Sequence, residues 1–188
     1  MSSKIVAGLE RISQAFKVLL WDKAKELGLS PIQIQLLIFC AYHESDLNNV
    51  SLLAQEFNVT KPTISDAVKV LFKKELIEKV YSSTDSRSYA IQLSSSGKDV
   101  VDQTENFAQE VTWAVENLTE VDKANFFKTL SQILFRLNKV GVLSVQRICY
   151  GCRFYEKNGQ QPYCNLLEKR LENTEIRLDC PEFESRSA

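Results

Sequence analysis

The spacing of apolar residues predicts a chain built mainly of helices. From Lys4 to Leu27, apolar side chains recur at every third or fourth position, which places them in one stripe along a long helix. Gly28 ends this helix, and Ser30 followed by Pro31 is typical of the N-cap and first turn of a second helix. Because the second helix is apolar on nearly every side, we expect it at the centre of the core.

Residues 47–77 have the spacing of a helix-turn-helix. A short apolar helix ends at Asn58, and Thr60 supplies the N-cap of the next helix. The inner face of this next helix is apolar, which leaves the polar side chains near its start and on its outer face available to a partner. These candidate contact residues are Lys61, Pro62, Thr63, Ser65, Asp66 and Lys69.

Residues 77–94 predict a β-hairpin. Residues that are β-branched or aromatic alternate with others on either side of a polar tip, Ser82–Ser88, which carries Arg87. A hairpin that directly follows a helix-turn-helix forms a winged helix. The predicted fold class is therefore mainly α with a small β-wing.

Two further helices are predicted after the hairpin, with Ser96 and Gly97 at the junction. The first runs to Leu118, and the second begins at Thr119, with Asp122 three positions later as in a capping box. Together with the first helix of the chain, they carry more apolar surface than a small winged core covers. We therefore expect them to pair with a second copy as dimerisation helices. An intramolecular bundle is the alternative.

Composition and charge limit the function classes. Hydrophobic residues make up 44% and charged residues 25% of the 188 residues, as in a globular protein. The formal net charge is −1, but residues 60–98 carry seven Lys or Arg against four Asp or Glu, a net +3. Residues 99–143 carry four against seven, a net −3. The helix-turn-helix and hairpin thus form a modestly basic zone, which favours contact with nucleic acid.

The sequence offers little material for an active site. His43 is the only histidine, at the end of an apolar helix, and we assign it no chemistry. Without a glycine-rich phosphate loop, an HExxH motif or a nucleophile elbow, we predict that the protein is not an enzyme. Neither a secretory signal nor a membrane span is evident, so we expect a cytoplasmic protein with no membrane partner. Cys40 is interpreted as a small core residue.

Four short motifs occur in order along this part of the chain. Thr60–Ser65 opens the outward-facing helix, Lys73 to Ile77 closes it, Asp85–Ser88 lies at the wing, and "LSSSGK" at 93–98 leads into the following helices. In this combination, residues 4–143 resemble a MarR-type winged helix-turn-helix transcriptional regulator. The sequence therefore divides into residues 1–143, a MarR-like DNA-binding and dimerisation domain, and residues 144–188.

The resemblance implies a homodimer bound to double-stranded DNA. Its two recognition helices would lie in successive major grooves, and Arg87 of each wing would reach a minor groove. An effector small molecule is left open. The implied DNA-binding residues are Lys61, Pro62, Thr63, Ser65, Asp66, Lys69, Lys73, Arg87 and Ser88.

Two departures from the family pattern weaken the expected affinity. The family often has arginine at Asp66 and Val70, and glycine at Glu75. A carboxylate at position 66 would repel phosphate, although it could accept a hydrogen bond from the amino group of cytosine. The lysines could also be a solvated face, and the winged helix could dock a protein instead of DNA.

Residues 144–188 contain four of the five cysteines, in the pattern Cys149-x2-Cys152-x11-Cys164-x15-Cys180. Four thiolates complete a tetrahedral zinc shell, so we expect a metal module with zinc as the favoured ligand. Cys180 followed by Pro181 also occurs in iron–sulfur ligation, which is the alternative. A thiol–disulfide switch, an unligated and partly disordered tail, and a redox or iron–sulfur protein stay open as further interpretations.

Overall fold

The computed structural model describes residues 1–81, 89–158 and 161–186. They form two compact units, Met1–Ala114 and Val115–Ala188. This division lies well before the boundary at residues 143 and 144 that the sequence suggested, because the last long helix belongs with the cysteine-rich segment. None of the helices in the described ranges is both long and apolar enough to span a membrane.

The first unit consists of helices followed by a hairpin and one further helix. Its elements are α1 (Ser2–Leu27), α2 (Pro31–Tyr42), α3 (Val50–Glu56), α4 (Lys61–Lys73), β1 (Ile77–Tyr81), β2 (Tyr89–Leu93) and α5 (Ser95–Thr104). A short helix, α6 (Gln109–Glu116), begins at the end of this unit.

The local signals in the sequence set the ends of these helices. Gly28 ends α1 with a left-handed backbone, at φ 60°. The backbone N–H of Ser30 donates to Oε1 of Gln33 at 2.8 Å, which fixes the start of α2. Asn58 also has a left-handed φ, 54°, and this residue makes the tight turn between α3 and α4.

The core of the first unit is assembled around α2, as its apolar character predicted. Leu37 is fully buried there with Leu53 of α3 and Ile64 of α4. Ile91 of β2 closes the core from the hairpin side, and its N–H donates to the carbonyl of Asn48 at 2.8 Å. This packing fixes α4 by its inner face.

The hairpin is antiparallel, with Ile77 opposite Leu93 and Tyr81 opposite Tyr89. Gly97 lies directly behind its first strand. A Cβ atom at Gly97 would meet the carbonyl oxygen of Leu76 well inside van der Waals distance, so only glycine allows this approach of α5 to the hairpin.

The predicted single helix from the hairpin junction to Leu118 is wrong, because it is interrupted between α5 and α6. Thr104 is fully buried at the end of α5, and its hydroxyl donates to the carbonyl of Val100 at 2.7 Å. Such a bond from a threonine to the preceding turn favours a bend in a helix, and this one lies at the point where α5 ends.

The second unit contains α7 (Glu120–Lys139) and a small antiparallel sheet. The strands are β3 (Tyr155–Asn158), β4 (Gln161–Cys164) and β5 (Lys169–Arg170), in the order β3-β4-β5. The hydroxyl of Thr119 accepts from the N–H of Asp122 at 3.2 Å, so the predicted cap of α7 is present. Ile148 is fully buried and belongs to the same core as Phe127 and Phe135 of α7.

Candidate nucleic-acid interface and cysteine cluster

Helix α4 presents its polar residues on one side. Its buried face consists of Ile64, Ala67, Val68 and Leu71. The N-cap hydroxyl of Thr60 accepts from the N–H of Thr63 at 3.3 Å and lies 2.9 Å from the hydroxyl of Thr63. The cap satisfies a backbone N–H in the first turn of the helix. The buried residues fix the helix so that its outer face points away from the core of the unit.

The structure brings most of the predicted contact residues together on this outer face. Ser65 differs from the others because it is half-buried beside the inner face. Arg87 and Ser88 lie outside the described residues. The exposed predicted residues are Lys61, Pro62, Thr63, Asp66, Lys69 and Lys73.

Two charges on this face neutralise each other. The ammonium of Lys69 donates to Oδ1 of Asp66 at 2.9 Å, and both side chains are exposed. This hydrogen bond and the negative charge of Asp66 raise the pKa of Lys69. The cation nearest the middle of the helix is therefore partly compensated by the carboxylate that departs from the family pattern.

Lys79, in the middle of β1, joins α4 to the hairpin. The ammonium of Lys79 lies 5.1 Å from the ring centre of Phe72 and 4.7 Å from that of Tyr89. Phe72 belongs to α4, and Tyr89 opens β2. The sequence indicated that Lys79 lies on the first strand, but nothing in its spacing indicated these two aromatic partners.

Apolar side chains of α1 are exposed in the single chain. Ile5, Ile12 and Phe16 of the predicted stripe are exposed by 52%, 44% and 38%. Phe16 also contacts Phe107 edge to face, with ring centres 6.3 Å apart. These three α1 residues, called here the α1 stripe, lie on one side of the helix.

The four C-terminal cysteines are among the twelve residues that line one cavity in the second unit. Cys149, Cys152, Cys164 and Cys180 all line it, and its volume is about 30 Å³. The amide of Cys152 donates to the carbonyl of Cys149 at 2.9 Å, so the CxxC segment turns back as its spacing predicted. None of the five cysteines, all of which the structure describes, forms a disulfide bond.

Arg177 connects the first and last of these cysteines. Its backbone N–H donates to Sγ of Cys149 at 3.3 Å, and its guanidinium lies 3.7 Å from Sγ of Cys180. The same guanidinium donates to the carboxylate of Glu182 at 2.9 Å. Sequence reasoning missed Arg177, and its position three residues before Cys180 was the only available signal.

The surroundings of Cys149 raise the pKa of its thiol. Burial is the main cause that raises the pKa of this thiol, and the backbone N–H of Arg177 opposes it. The neighbouring Cys152 and Cys164 raise the pKa further, because a second thiolate nearby is repelled. In the described part of the chain, no three Cys, His, Asp or Glu side chains are arranged to hold a metal ion.

The remaining two residues with potential chemistry have structural surroundings. The ring of His43 stacks on Phe39 with centres 3.7 Å apart, and its Nδ1 lies 2.9 Å from the carbonyl of Phe39. Cys40 packs against the main core, and burial raises the pKa of its thiol to about 12. Both positions agree with the packed roles that the sequence indicated.

Comparison with known proteins supports the winged-helix assignment of the first unit. The sequence model of the MarR family matches residues 27–88, which include α2, α3, α4 and β1. The MarR family is a family of non-enzymatic transcription regulators. None of the curated proteins matches the sequence.

Solved structures of the same fold come from several organisms. The Staphylococcus aureus MepR–DNA complex is 23% identical, with a TM-score of 0.62 over 70% of this chain and 97% of that chain. A MarR transcriptional regulator from Methanosarcina mazei is 16% identical, with a TM-score of 0.63 over 73% and 99%. Streptococcus pneumoniae FabT in complex with DNA is 20% identical, with a TM-score of 0.61 over 74% and 99%. The fold is that of a MarR-type winged helix, mainly helical with a small antiparallel wing.

Proposed function

We propose that the protein is a homodimeric transcription regulator that binds double-stranded DNA. The observation that carries the proposal is the placement of α4, whose inner face is buried while its polar face, with Lys61, Lys69 and Lys73, is exposed. A helix held in this way, one turn after a shorter helix, has the geometry that enters a major groove. MepR and FabT, which share the fold, were both solved in complex with DNA.

Dimerisation is part of the proposal because one α4 reads only one half-site. The α1 stripe leaves Ile5 and Ile12 about half exposed, and a water-exposed row of large apolar residues on a helix is stabilised by a partner. A second copy of this chain provides that partner and presents a second α4. Two half-sites one helical turn apart are then contacted together.

The four-cysteine site belongs to the same proposed regulator. In this proposal Cys149, Cys152, Cys164 and Cys180 hold a metal or cluster that is structural or redox-sensing. The DNA-binding face and the cysteine cavity lie in different units, so each is tested by itself.

The test is binding to genomic DNA fragments measured over a range of salt concentrations. Lys69→Ala and Arg87→Ala should each lower the affinity with folding intact, and each should reduce the slope of log affinity against log salt by about one. Lys17→Ala removes the same charge from α1 and is the matched control, because it should leave the affinity unchanged. Equal binding by all three variants and the parent protein would remove the proposed contact surface.

One observation favours a second candidate function, a protein-docking winged helix. Val70 and Phe72 of α4 are exposed by 40% and 49%, and the Lys69 charge on the same helix is paired. A partly apolar, partly neutralised face suits a protein partner better than phosphates. Absence of any DNA shift at low salt, together with an intact dimer, would favour this candidate.

A further inference from the structure

The two residues between the cysteines of the CxxC segment lie against α7. Cys149–Gly151 form a single 3₁₀ turn, in which the amide of Gly151 donates to the carbonyl of Ile148 at 3.0 Å. Tyr150 is half-buried, and its ring meets that of Phe135 in α7 edge to face, with centres 5.7 Å apart. The turn and the helix are therefore in direct contact.

A pair of hydroxyls joins the turn to the helix. Ser131 of α7 is fully buried, and its hydroxyl donates to the carbonyl of Lys128 at 2.9 Å. The hydroxyl of Tyr150 lies 3.1 Å from the same serine oxygen. Because a serine hydroxyl has one proton, which the Lys128 carbonyl accepts, Tyr150 is the donor in this second hydrogen bond. Water does not reach Ser131, so solvent does not replace the bond when it is lost.

Gly151 brings the backbone of the turn to the same part of α7. A Cβ atom at Gly151 would lie 3.5 Å from the ring of Phe135 and 3.7 Å from that of Phe183. Phe135 and Ser131 are four positions apart, so they lie on one face of the helix, one turn from each other. Both residues between the two cysteines therefore contact the same face of α7.

Cys149 is held in the turn by two hydrogen bonds with Arg177. The amide of Cys149 donates to the carbonyl of Arg177 at 3.2 Å, and the amide of Arg177 donates to Sγ of Cys149 at 3.3 Å. The sulfur thus takes part in fixing the backbone of the turn. Because Tyr150 follows Cys149 directly, a change at this sulfur that shifts the turn also moves the tyrosine.

We propose that the CxxC turn is coupled to α7, and that Tyr150 transmits a chemical change at Cys149 to the helix. A change that weakens the bond from Arg177 to the sulfur loosens the turn, withdraws the tyrosine hydroxyl from Ser131 and loosens α7. By thermodynamic reciprocity, loss of the Ser131 contact in α7 loosens the turn. This coupling goes beyond the proposed function, and it requires neither DNA binding nor a particular occupant of the cysteine site.

Hydrogen exchange of the full chain, measured by mass spectrometry on peptides from Glu120–Lys139, tests the coupling. Cys149→Ala should make exchange in α7 about fivefold faster, a usual size of coupling between residues in contact. In the Tyr150→Phe background the same substitution should have little further effect. Cys40→Ala, in the first unit, is the control and should leave exchange in α7 unchanged. The proposal is overturned if Cys149→Ala has no effect on α7, or an equal effect with and without the tyrosine hydroxyl.

Ser131→Ala tests the coupling from the helix and keeps every cysteine, so it decides if Cys149→Ala does not fold. Exchange at the amide of Cys152, which donates to the carbonyl of Cys149 at 2.9 Å, should become about fivefold faster. Thr129→Ala is the matched control, because it removes an exposed hydroxyl of α7 that donates to the carbonyl of Asn125. An unchanged Cys152 amide in Ser131→Ala, or an equal acceleration throughout the second unit, would overturn the coupling.

Discussion

The ammonium of Lys69 lies 2.9 Å from a carboxylate oxygen of Asp66, one turn earlier on the exposed face of α4. An exposed ion pair of this kind contributes little to folding stability. In the proposed DNA complex the pair affects binding, because the carboxylate reduces the positive potential of the α4 face that would meet the phosphate backbone. We therefore expect the pair to lower the affinity for DNA without altering the fold.

Asp66→Asn should increase the affinity for DNA. Removing one negative charge near the phosphates is worth about 1 kcal/mol at low salt, which corresponds to roughly a fivefold tighter complex. Lys69 would also lose its competing carboxylate partner and interact more strongly with phosphate. Fluorescence anisotropy with a labelled duplex at several salt concentrations measures the change.

A double-mutant cycle separates the two effects of this substitution. In the Lys69→Ala background, Asp66→Asn should have a smaller effect, since the released cation is then missing. A fall in affinity on Asp66→Asn, confined to sites with a cytosine at one position, would instead show that the carboxylate accepts from a base.

Gly97→Ala should destabilise the first unit although alanine is the better helix former. The added methyl group overlaps the carbonyl oxygen of Leu76, so either α5 or the hairpin has to shift. A cost of about 1–3 kcal/mol is expected for such overpacking. Urea unfolding of the full chain measures it.

Gly8→Ala is the control for this prediction. Gly8 is an exposed residue within α1, and a Cβ atom there meets nothing within 4 Å. The same substitution should leave stability unchanged or raise it by up to about 1 kcal/mol. Equal effects at the two positions would contradict the close approach of α5 to Leu76.

Ile12→Glu should dissociate the proposed dimer. The side chain belongs to the α1 stripe, and a carboxylate there would have to be buried against the second copy without a partner. Analytical ultracentrifugation should show a monomer over the concentrations at which the parent protein is a dimer. DNA affinity should fall with it, because a monomer contacts one half-site.

Val18→Glu provides the comparison for the dimer. Val18 is 59% exposed on the opposite side of α1, so a charge there should leave the dimer intact. If the two glutamate variants behave alike, the dimer does not use the α1 stripe.

Asp179→Asn should loosen the second unit. Arg147 donates to both carboxylate oxygens of Asp179, from Nε to Oδ1 and from Nη2 to Oδ2, the latter at 3.2 Å. The Arg147 side chain is only 14% exposed, so loss of its charged partner should cost about 1–3 kcal/mol. Hydrogen exchange at the amide of Cys180, which donates to the carbonyl of Arg147, should become faster.

Glu184→Gln is the matched substitution for Asp179→Asn. Glu184 pairs with Arg153 at 2.9 Å, and both side chains are about half exposed, so the change should stay below about 1 kcal/mol. If hydrogen exchange at the Cys180 amide becomes equally faster in both variants, the buried Arg147 pair contributes no more to stability than the exposed pair.

Cys40 should resist alkylation in the folded protein. Burial raises the pKa of its thiol to about 12, so the reactive thiolate is scarce below that pH and increases only as the pH approaches it. Iodoacetamide at pH 8 should leave Cys40 unmodified by mass spectrometry. The same treatment in denaturant should label it fully, whereas rapid labelling of the native chain would contradict its burial.

The sequence predicted the first unit from α1 to the hairpin in detail, because the signals there are local. Gly28, Asn58 and Thr60 set helix ends through backbone conformation and side-chain capping, which depend on neighbours in the chain. The buried face of α4 followed from its periodicity alone. The motif at 93–98 also has a local explanation, since Ser94 caps α5 at the N–H of Gly97, 3.0 Å away.

Features that depend on distant residues were not predicted. The interruption between α5 and α6 was not predicted, because the helical spacing of apolar residues continues across it. The association of α7 with the cysteine-rich segment rests on Phe127, Phe135 and the approach of the Ser131 hydroxyl to Tyr150 at 3.1 Å. The four cysteines were identified from sequence, but the size of the cavity that they line and the role of Arg177 required coordinates.

The position of Lys79 between the rings of Phe72 and Tyr89 has a thermodynamic consequence. One cation contacts both the C-terminal part of α4 and the second strand of the hairpin, so we expect it to restrict their relative motion in the unbound protein. The conformational entropy of these backbone segments is then lost during folding and not on binding. Association should therefore require little reordering there, and its kinetics should resemble the docking of a preformed surface.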